Sequence, residues 1–459
     1  MPNFKKLSKN YYDNALLALQ EFVRKESVYD PNTIEKGAPY GKGVKSALDY
    51  IGKLAKEYGF KVDYCQGYAT EISFGEDNNG PLIGIYAHSD VVPISGKWDY
   101  PPFKGEIVGE GKERKMIGRG TSDDKGPLIA SLFAMKLLKD NGLIDGYRVR
   151  LVAGGDEERG ASCLRHYFHD LKKPQCDYGF TPDAEFPLIY AEKAICHGDL
   201  VAKLDLGPII AIQGGTVSNA VCDKVVVTLP LDKKFVDQFK KDNVDGDISV
   251  SAPIMIVSFK GKTSHGSMPQ NGKSAIIAAF DYLGKFYDIK PLLKIVNAIR
   301  DPFGAGFGGE NESVELGKAT YNYGVIKYDS KKQLSISLDY RYGESADPKS
   351  SIAKLEQATG MKVIVTSSMD ALLYQKNSPL VSTLMKSYKR MTLKLFDKPM
   401  AIGGGTYAKE AKNCVAYGGT FKAHPGDIHS PNEYLYIEDL YAQIALYADA
   451  IYSLGKLSK

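Results

Sequence analysis

The amino-acid sequence predicts an α/β protein with more than one domain. At 459 residues the chain is longer than one ordinary hydrophobic core requires. Up to residue 195, segments of helical periodicity such as residues 13–25 alternate with short β-branched runs such as residues 82–87. From about Gly198, alternating strand patterns interleaved with helices predict a second, α+β domain, and a helical pattern returns over residues 379–396.

The composition predicts a globular protein without a nucleic-acid or membrane partner. Hydrophobic residues make up 43% of the chain and charged residues 25%, and the formal net charge of +4 is small for this length. The sequence contains neither a signal-peptide pattern at its start nor a long apolar run, so we expect a cytoplasmic protein. The six cysteines form no C-x-x-C pair, which argues against a disulfide framework or a thiolate zinc site.

Chemically active side chains follow the ends of three predicted strands. His88 and Asp90 follow the strand predicted at residues 82–87, the acids 156–158 follow the next strand, and Asp183 follows a third. In open α/β sheets, ligands bind at the carboxyl ends of the strands. A lone histidine is more often structural and an acidic run is usually solvated, yet three adjacent carboxylates repel one another unless a cation or proton lies among them.

Two further segments contribute candidate residues. A glycine-rich turn contains Asp123 and Asp124 at the entrance of a predicted helix, where either aspartate could simply cap that helix. Near the end of the chain, His429 lies in a turn close to Glu433. The glycines 403–405 could form a flexible loop, or they could allow the backbone to approach a ligand closely.

Imidazole and carboxylate groups without cysteine are a ligand set that suits zinc, manganese or cobalt. The candidate residues of this kind are His88, Asp90, Asp123, Glu157, Glu158, Asp183 and His429. They include too many acids for one ion. Two ions roughly 3.5–4 Å apart, bridged by a carboxylate and a water, would neutralise the charge and leave one glutamate to transfer protons. The pattern therefore predicts metal-assisted hydrolysis.

These residues resemble the M20 metallopeptidases, a family that includes dipeptidases, aminoacylases, succinyl-diaminopimelate desuccinylase and glutamate carboxypeptidases. The motif H-x-D occurs at residues 88–90 and the motif G-x-G-x-x-D-x-K-G at residues 118–126. The acidic pair of the family matches residues 157–158, its later aspartate matches Asp183, and its last metal histidine matches His429. The five motifs occur in the family's order and span nearly the whole chain.

The resemblance implies a di-metal aminopeptidase-like catalytic domain, a mixed sheet flanked by helices, with an inserted α+β lid domain. The catalytic domain would comprise residues 1–195 and 379–459, and the lid residues 196–378. In relatives with a small lid, a partner subunit supplies a histidine to the active site. A lid of about 180 residues is thought to fold over its own active site, so a monomer is plausible.

The resemblance also implies a ligand set and a general base. The implied ligands are Asp123 for both metals, His88 and Asp183 for one metal, and Glu158 and His429 for the other. Glu157 would take a proton from the water that bridges the metals and later pass it to the leaving amine. Asp90 would orient the ring of His88 through its other nitrogen, although it could instead be a loop-capping acid. We expect Zn²⁺, with Mn²⁺ or Co²⁺ as alternatives.

Within the lid, the resemblance assigns residues to the substrate. His265 matches the histidine that stabilises the developing oxyanion, and Arg341 matches the arginine that binds a free substrate carboxylate. Other positions that match substrate-contacting residues are Asn219, Gly404 and Gly405. One departure from the family pattern is Cys222, which stands where many members have a proline, and it leaves the local backbone near Asn219 less defined.

The segment D-A-E-F-P at residues 183–187 and the large lid favour the dipeptidase branch, with a small peptide as the substrate. An N-acyl-amino-acid deacylase (aminoacylase) or a carboxypeptidase of the same family is the alternative within this chemistry. An inactive binding homologue is the alternative from another class. Against it stand the apparently complete ligand set and Glu157, which no structural role requires.

Overall fold

The computed structural model of the protein describes residues 1–76 and 80–458. The α-helices are α1 (Phe4–Leu7), α2 (Tyr12–Val23), α3 (Lys42–Glu57), α4 (Lys125–Asp140), α5 (Ser162–Arg165), α6 (Lys233–Lys241), α7 (Ala275–Phe286), α8 (Lys290–Ile299), α9 (Pro348–Thr359), α10 (Pro379–Thr392) and α11 (Ile437–Leu454). In this part of the chain, no helix is long and apolar enough to cross a lipid bilayer.

The strands in the first half of the chain are β1 (Lys61–Asp63), β2 (Ala69–Phe74), β3 (Leu82–His88), β4 (Glu106–Val108), β5 (Lys115–Ile117), β6 (Arg148–Gly154), β7 (Tyr178–Thr181), β8 (Ala184–Glu185), β9 (Ile189–Glu192), β10 (Ala194–Lys203), β11 (Ala211–Gly214) and β12 (Lys224–Pro230). Those in the second half are β13 (Gly246–Ser251), β14 (Ile254–Lys260), β15 (Glu312–Ser313), β16 (Gly317–Lys318), β17 (Thr320–Asn322), β18 (Ile326–Tyr328), β19 (Gln333–Tyr342), β20 (Lys362–Met369), β21 (Leu372–Leu373), β22 (Met400–Ile402), β23 (Cys414–Ala416), β24 (Gly419–Thr420) and β25 (Tyr434–Tyr436).

The chain forms two compact units. The first unit comprises residues 1–190, 374–400 and 406–459, and the second comprises residues 191–373 and 401–405. The mixed α/β class predicted from the sequence is confirmed. The predicted domain boundaries and the role of the inserted part as a lid stay predictions.

The main sheet of the first unit has a parallel centre. Its strands follow the order β1-β2-β6-β3-β7-β23, and β3 pairs in parallel with both β6 and β7. All seven residues of β3 are buried, which explains why this strand reads as a continuous apolar run rather than as an alternating one. The helix α4 is buried on nearly every side and packs against α2 and α11. A parallel centre places the carboxyl ends of β3, β6 and β7 at one edge of the sheet.

The second unit contains an antiparallel sheet, as expected for an α+β domain. The strand order is β13-β14-β12-β11-β18-β19-β10-β20, with β17 paired to β19. The helix α7 packs on β12 and β14, and their apolar side chains belong to one buried core. This unit therefore has its own hydrophobic core.

The helix after Ser378 is shorter than the sequence pattern predicts. The pattern continues through residue 396, but α10 ends at Thr392. Leu393 adopts a left-handed conformation with φ of 62°, and its N–H donates to the carbonyl oxygen of Lys389. The following Leu395 and Phe396 are exposed, so the apolar spacing that continues there does not face a core. The predicted extension of the helix is wrong for this reason.

Candidate metal centre

Three strand ends of the first unit bring the predicted candidates together. His88 is the last residue of β3, the acids 156–158 follow β6, and Asp183 follows β7 by two residues. Because these strands are parallel neighbours, their carboxyl ends meet at the same edge of the sheet. The glycine-rich turn before α4 adds Asp123 at this edge. The spatial cluster is thus a direct consequence of the strand order.

Asp123 lies between two histidines. Its Oδ1 is 2.9 Å from Nε2 of His88, and its Oδ2 is 2.9 Å from Nε2 of His429. Nε2 of His88 also lies 3.7 Å from Oδ2 of Asp183, and Nε2 of His429 lies 3.1 Å from Oε1 of Glu158. The result is two ligand groups that share Asp123, and in each group the ligand atoms lie within 4.8 Å of one another.

The buried carboxylates of the cluster are stable as anions only if positive charge lies close to them. Burial, with repulsion from Asp123 and Glu158, raises the pKa of Asp183 to about 7, although His88 opposes this shift. Hydrogen bonds with Asp123 and Glu158 raise the pKa of His429 to about 11. The protein alone therefore balances its buried carboxylates with protons on the imidazole rings. Divalent cations would supply that charge instead and displace the ring protons.

Asp123 itself is held ionised. Burial opposes its ionisation, but hydrogen bonds with His429 and His88 keep its pKa well below the usual range. An ionised carboxylate with one oxygen toward each histidine is suited to bridge two cations. The donor set of two imidazoles and three carboxylates fits borderline metals such as zinc.

Glu157 is adjacent to this set but belongs to neither ligand group. Burial raises the pKa of Glu157 well above its usual value, and the negative charges of Asp183, Glu158 and Asp123 add to the effect. A carboxyl group with a raised pKa accepts a proton more readily than an ordinary glutamate, which is the property that a general base needs.

Asp90 contacts both His88 and the acidic loop. Nδ1 of His88 lies 2.9 Å from the carbonyl oxygen of Asp90 and 3.5 Å from its carboxylate, so the backbone makes the shorter contact. The two carboxylate oxygens of Asp90 accept the backbone N–H groups of Glu157 and Glu158 at 3.1 and 3.2 Å. Asp90 therefore fixes the position of the general-base candidate as well as the ring of His88.

Glu433, which the sequence places only near His429, connects the turn of Asp123 to the end of the chain. Its Oε1 accepts the backbone N–H groups of Ser122 and Asp123 at 3.0 and 3.1 Å, and its Oε2 accepts Nη1 of Arg119 at 2.7 Å. Glu433 and Arg119 are both buried. Burial, with repulsion from Asp123, raises the pKa of Glu433 to about 7, although Arg119 opposes the shift. Three donors converge on one carboxylate and fix the backbone of Asp123.

A short sheet explains how these distant segments meet. β25 pairs with β5, so Tyr434 lies opposite Ile117 at the start of the glycine-rich turn. This pairing carries the preceding residues, including Glu433 and His429, to the turn of Asp123. His429 adopts a left-handed backbone conformation with φ of 60°. The pairing of Arg119 with Glu433 cannot be predicted from a single sequence, because the two residues are 314 positions apart.

Asp124 does not cap α4 with its side chain. It occupies the N-cap position, but its Oδ2 accepts the backbone N–H of His88 at 3.1 Å instead. The next residue, Lys125, is buried and donates from Nζ to the carbonyl oxygen of Lys25 at 2.6 Å. The side chain of Asp124 therefore stabilises the backbone at His88, and the helix-capping alternative is excluded for Asp124.

The predicted substrate residues belong to the second unit. His265 forms an isolated bridge with Ala220, and the N–H of Gly266 donates to the carbonyl oxygen of Asn219 at 2.7 Å. Nδ1 of His265 lies 2.7 Å from Oγ of Ser267 and accepts the backbone N–H of Ser267 at 3.2 Å. In the tautomer in which Nδ1 accepts both of these hydrogen bonds, the neutral ring carries its proton on Nε2 and can donate from there.

Arg341 is buried and oriented by two neighbours. Its Nε and Nη2 donate to the carboxylate of Asp339 at 3.0 Å, and its Nη1 donates to the carbonyl oxygen of Gly403 at 2.7 Å. A guanidinium carries five N–H bonds, and these contacts use three of them. One N–H on Nη1 and one on Nη2 are left for a further hydrogen bond each. Together they can bind both oxygens of a carboxylate. Gly404 and Gly405 continue the segment that Arg341 contacts.

Comparison with known proteins identifies the family. A family model described as "Peptidase family M20/M25/M40" matches residues 84–453. The Bacillus subtilis protein named "Putative dipeptidase YtjP" is 32% identical over 454 residues, which cover 95% of this chain and 96% of that protein.

Solved structures share the fold. A metallo-carboxypeptidase of the M20 family from Sulfolobus solfataricus, Sso-CP2, superposes with a TM-score of 0.59 at 18% identity and covers 97% of this chain and 100% of its own. The dipeptidase Dug1p from Saccharomyces cerevisiae superposes with a TM-score of 0.61 at 12% identity and covers 99% of this chain and 98% of its own. Since the family model spans most of the chain and the cluster around Asp123 matches metal-ligand chemistry, the protein belongs to the peptidase family M20/M25/M40 and is a metal-dependent hydrolase.

Proposed function

We propose that the protein is a dipeptidase that holds two divalent metal ions, most suitably Zn²⁺, and cleaves dipeptides with a free C-terminal carboxylate. One observation carries the proposal. The two carboxylate oxygens of Asp123 face two different histidines, and each histidine belongs to a separate ligand group. The name of the Bacillus subtilis relative points to the same substrate class.

Asp123 would be the shared ligand in this proposal. His88 and Asp183 would complete one site, and Glu158 and His429 would complete the other. When bound, the two metals polarise the scissile carbonyl and make the attacking water easier to deprotonate near neutral pH. Mn²⁺ and Co²⁺ remain alternatives because imidazole and carboxylate sites accept several ions.

Glu157 would move the proton. It takes a proton from water as the water oxygen bonds to the carbonyl carbon, and it gives that proton to the amine nitrogen as the C–N bond breaks. Burial raises the pKa of Glu157 above that of an ordinary glutamate, which makes its carboxylate a better proton acceptor. Asp90, through the backbone N–H groups of Glu157 and Glu158, holds this loop in place.

The second unit would supply the substrate contacts. Nε2 of His265 would donate to the oxygen on which negative charge develops, and the end of the Arg341 guanidinium would bind the C-terminal carboxylate. Asn219 and the segment of Gly404 and Gly405 would contact the substrate backbone. Because one chain carries both sets of residues, we expect an active monomer.

The test is a substrate panel on chelator-stripped protein reloaded with Zn²⁺, Mn²⁺ or Co²⁺. Free dipeptides should be cleaved, whereas the same dipeptides with an amidated C-terminus should lose most of the rate because Arg341 lacks its partner. If N-acetylated amino acids were cleaved and dipeptides were not, the protein would be a deacylase. If neither were cleaved while two metals were bound, the proposal of a catalyst would fail.

A further inference from the structure

Two connections between elements of the second unit carry residues that are proposed to contact the substrate. Residues 215–223 connect β11 to β12 and include Asn219, and residues 261–274 connect β14 to α7 and include His265. Ala220 and His265 form an antiparallel bridge, so the two connections are paired. A shift of the first connection therefore also shifts His265.

Asn322, in β17, holds the first of these connections. Its Nδ2 donates to the carbonyl oxygens of Ser218 and Ala220 at 2.7 and 3.0 Å. Because both partners are acceptors, only the N–H₂ group of the amide can contact them, and it carries one N–H bond for each. Ser218 and Ala220 flank Asn219 in the chain, so one amide group fixes the backbone on both sides of Asn219. Asn322 is 3% exposed, which shields these hydrogen bonds from water.

The backbone after Asn322 is in direct contact with the same connection. A Cβ atom at Gly324 would lie 2.4, 2.5 and 2.7 Å from the carbonyl oxygens of Val217, Ser218 and Ala220, which is closer than nonbonded atoms approach. The glycine therefore leaves the space that these carbonyl groups occupy. Together with the two hydrogen bonds of Asn322, this contact leaves the connection little room to move.

The second connection contacts the residue that orients Arg341. A Cβ atom at Gly266 would lie 2.4 Å from Oδ2 of Asp339 and 2.9 Å from the carbonyl oxygen of Asn219. The N–H of Gly266 donates to that same carbonyl oxygen at 2.7 Å. Asp339 accepts hydrogen bonds from Arg341 and lies opposite Asn322 in the pairing of β17 with β19. The backbone at Gly266 is therefore held between Asn219 and the carboxylate that orients Arg341.

We propose that Asn322 is a positioning residue for the hydrolytic reaction. It places Asn219 through the two flanking carbonyl groups, and it places His265 through the bridge to Ala220. The inference rests on the proposed function, in which Nε2 of His265 donates to the oxygen that gains negative charge. Such a donor stabilises the transition state more than the bound substrate, so a displaced ring lowers kcat. Misplacement by about 1 Å costs about 100-fold in rate.

The test is a double-mutant cycle on Zn²⁺-loaded protein with the free dipeptide that the wild type cleaves fastest. Asn322→Leu keeps the approximate volume of the side chain but removes both donors. Its kcat should fall about 10- to 100-fold while two metals stay bound, and His265→Ala should lose about 100- to 1,000-fold. The double variant should stay within about 3-fold of His265→Ala, because displacement of the ring has no effect once the ring is absent. Asn297→Leu, at an exposed position of α8, is the matched control and should keep the wild-type kcat.

Gly324→Ala is a second variant that leaves Asn322 in place. Its Cβ atom would displace the carbonyl groups of Ser218 and Ala220, so its loss of kcat should also disappear in the His265→Ala background. This variant decides the question if Asn322→Leu does not fold. If neither variant folds, the contact is a requirement of the fold and the positioning role is wrong.

The remaining outcomes separate this inference from the proposed function. Losses that multiply in the double variant, or an unchanged kcat in Asn322→Leu, would refute the positioning role and leave the dipeptidase proposal intact. An unchanged kcat in His265→Ala would refute both the oxyanion role of His265 and the inference. If the wild type cleaved N-acetylated amino acids and no dipeptide, the dipeptidase proposal would fail, and the same cycle on that substrate would decide the role of Asn322. If no substrate were cleaved, both would fail.

Discussion

Replacing Glu433 by glutamine removes one charge from the buried contacts that fix the backbone of Asp123. Glutamine can keep an oxygen toward the N–H groups of Ser122 and Asp123, which now lie 3.0 and 3.1 Å from Oε1. The amide N–H₂ group of the glutamine then faces the guanidinium of Arg119. In the native protein, Nη1 of Arg119 donates a hydrogen bond to Oε2 of Glu433 at 2.7 Å. The reverse orientation instead places two backbone donors against the amide. Either way, a buried donor loses its acceptor.

The expected loss of stability follows from this geometry. At pH 8, above the raised pKa of Glu433 of about 7, removing its charge breaks a buried ion pair and costs about 3–5 kcal/mol, since the remaining cation stays buried and uncompensated. Repulsion by Asp123 is one reason for the raised pKa of Glu433. Cations bound at Asp123 would remove that repulsion, so the penalty should be larger in metal-loaded protein than in stripped protein. Metal affinity should fall by about 10- to 100-fold, as for other groups that orient metal ligands.

The assay is urea denaturation followed by the fluorescence of Trp98. It is the only tryptophan, and its ring lies 5.3 Å from the guanidinium of Arg119. Glu113→Gln, at an exposed position in the same unit, is the control for loss of a glutamate charge. The double variant Arg119→Met/Glu433→Gln should lose less than the sum of the single losses, because the orphaned cation is gone. Full additivity, or a loss below about 1 kcal/mol for Glu433→Gln, would refute the reasoning.

Three further predictions concern the metals and the thiols. Elemental analysis should show that Asp123→Asn binds neither metal, whereas His429→Ala should retain one ion per chain. Equal losses of metal in the two variants would contradict the role of Asp123 as a shared ligand. Asp90→Asn should weaken metal binding by about 10-fold or more, since one of its two carboxylate acceptors becomes a donor facing the acidic loop, and unchanged affinity in a chelator competition would argue against this role. All six cysteines are buried, and burial raises the pKa of the Cys65 and Cys163 thiols to about 12. A thiol reagent should therefore label the native protein far more slowly than the urea-unfolded protein. Rapid labelling of the native thiols would contradict this burial.

The sequence predicts those residues of the metal centre that directly follow a strand. His88 and Glu157 each follow a β-branched run, and Asp183 follows a strand-like segment. Parallel strands bring residues at their carboxyl ends together, whatever the length of the intervening loops. The acid run also carried its own signal, because adjacent carboxylates need a compensating charge. Local sequence pattern and general chemistry are therefore sufficient to predict that these residues lie together.

The supporting contacts could not be predicted in the same way. The pairing of Glu433 with Arg119 depends on β25 joining β5, and neither three-residue strand has a distinctive pattern. The contacts of Asn322 with Ser218 and Ala220 join segments that lie far apart in the chain, so no local pattern predicts them. The sequence pattern does not mark the end of α10, because Leu393 adopts a left-handed conformation there without the glycine that usually signals such an end.

The measurement that most directly tests the account is the activity and metal content of Glu157→Gln. Glu157 belongs to neither ligand group, so this variant should bind two metals as the wild type does while kcat falls by about 100- to 10,000-fold. Glu158→Gln provides the contrast, because it alters a ligand and should lose metal as well as activity. Retained turnover in Glu157→Gln with both metals bound would contradict the assignment of Glu157 as the proton carrier.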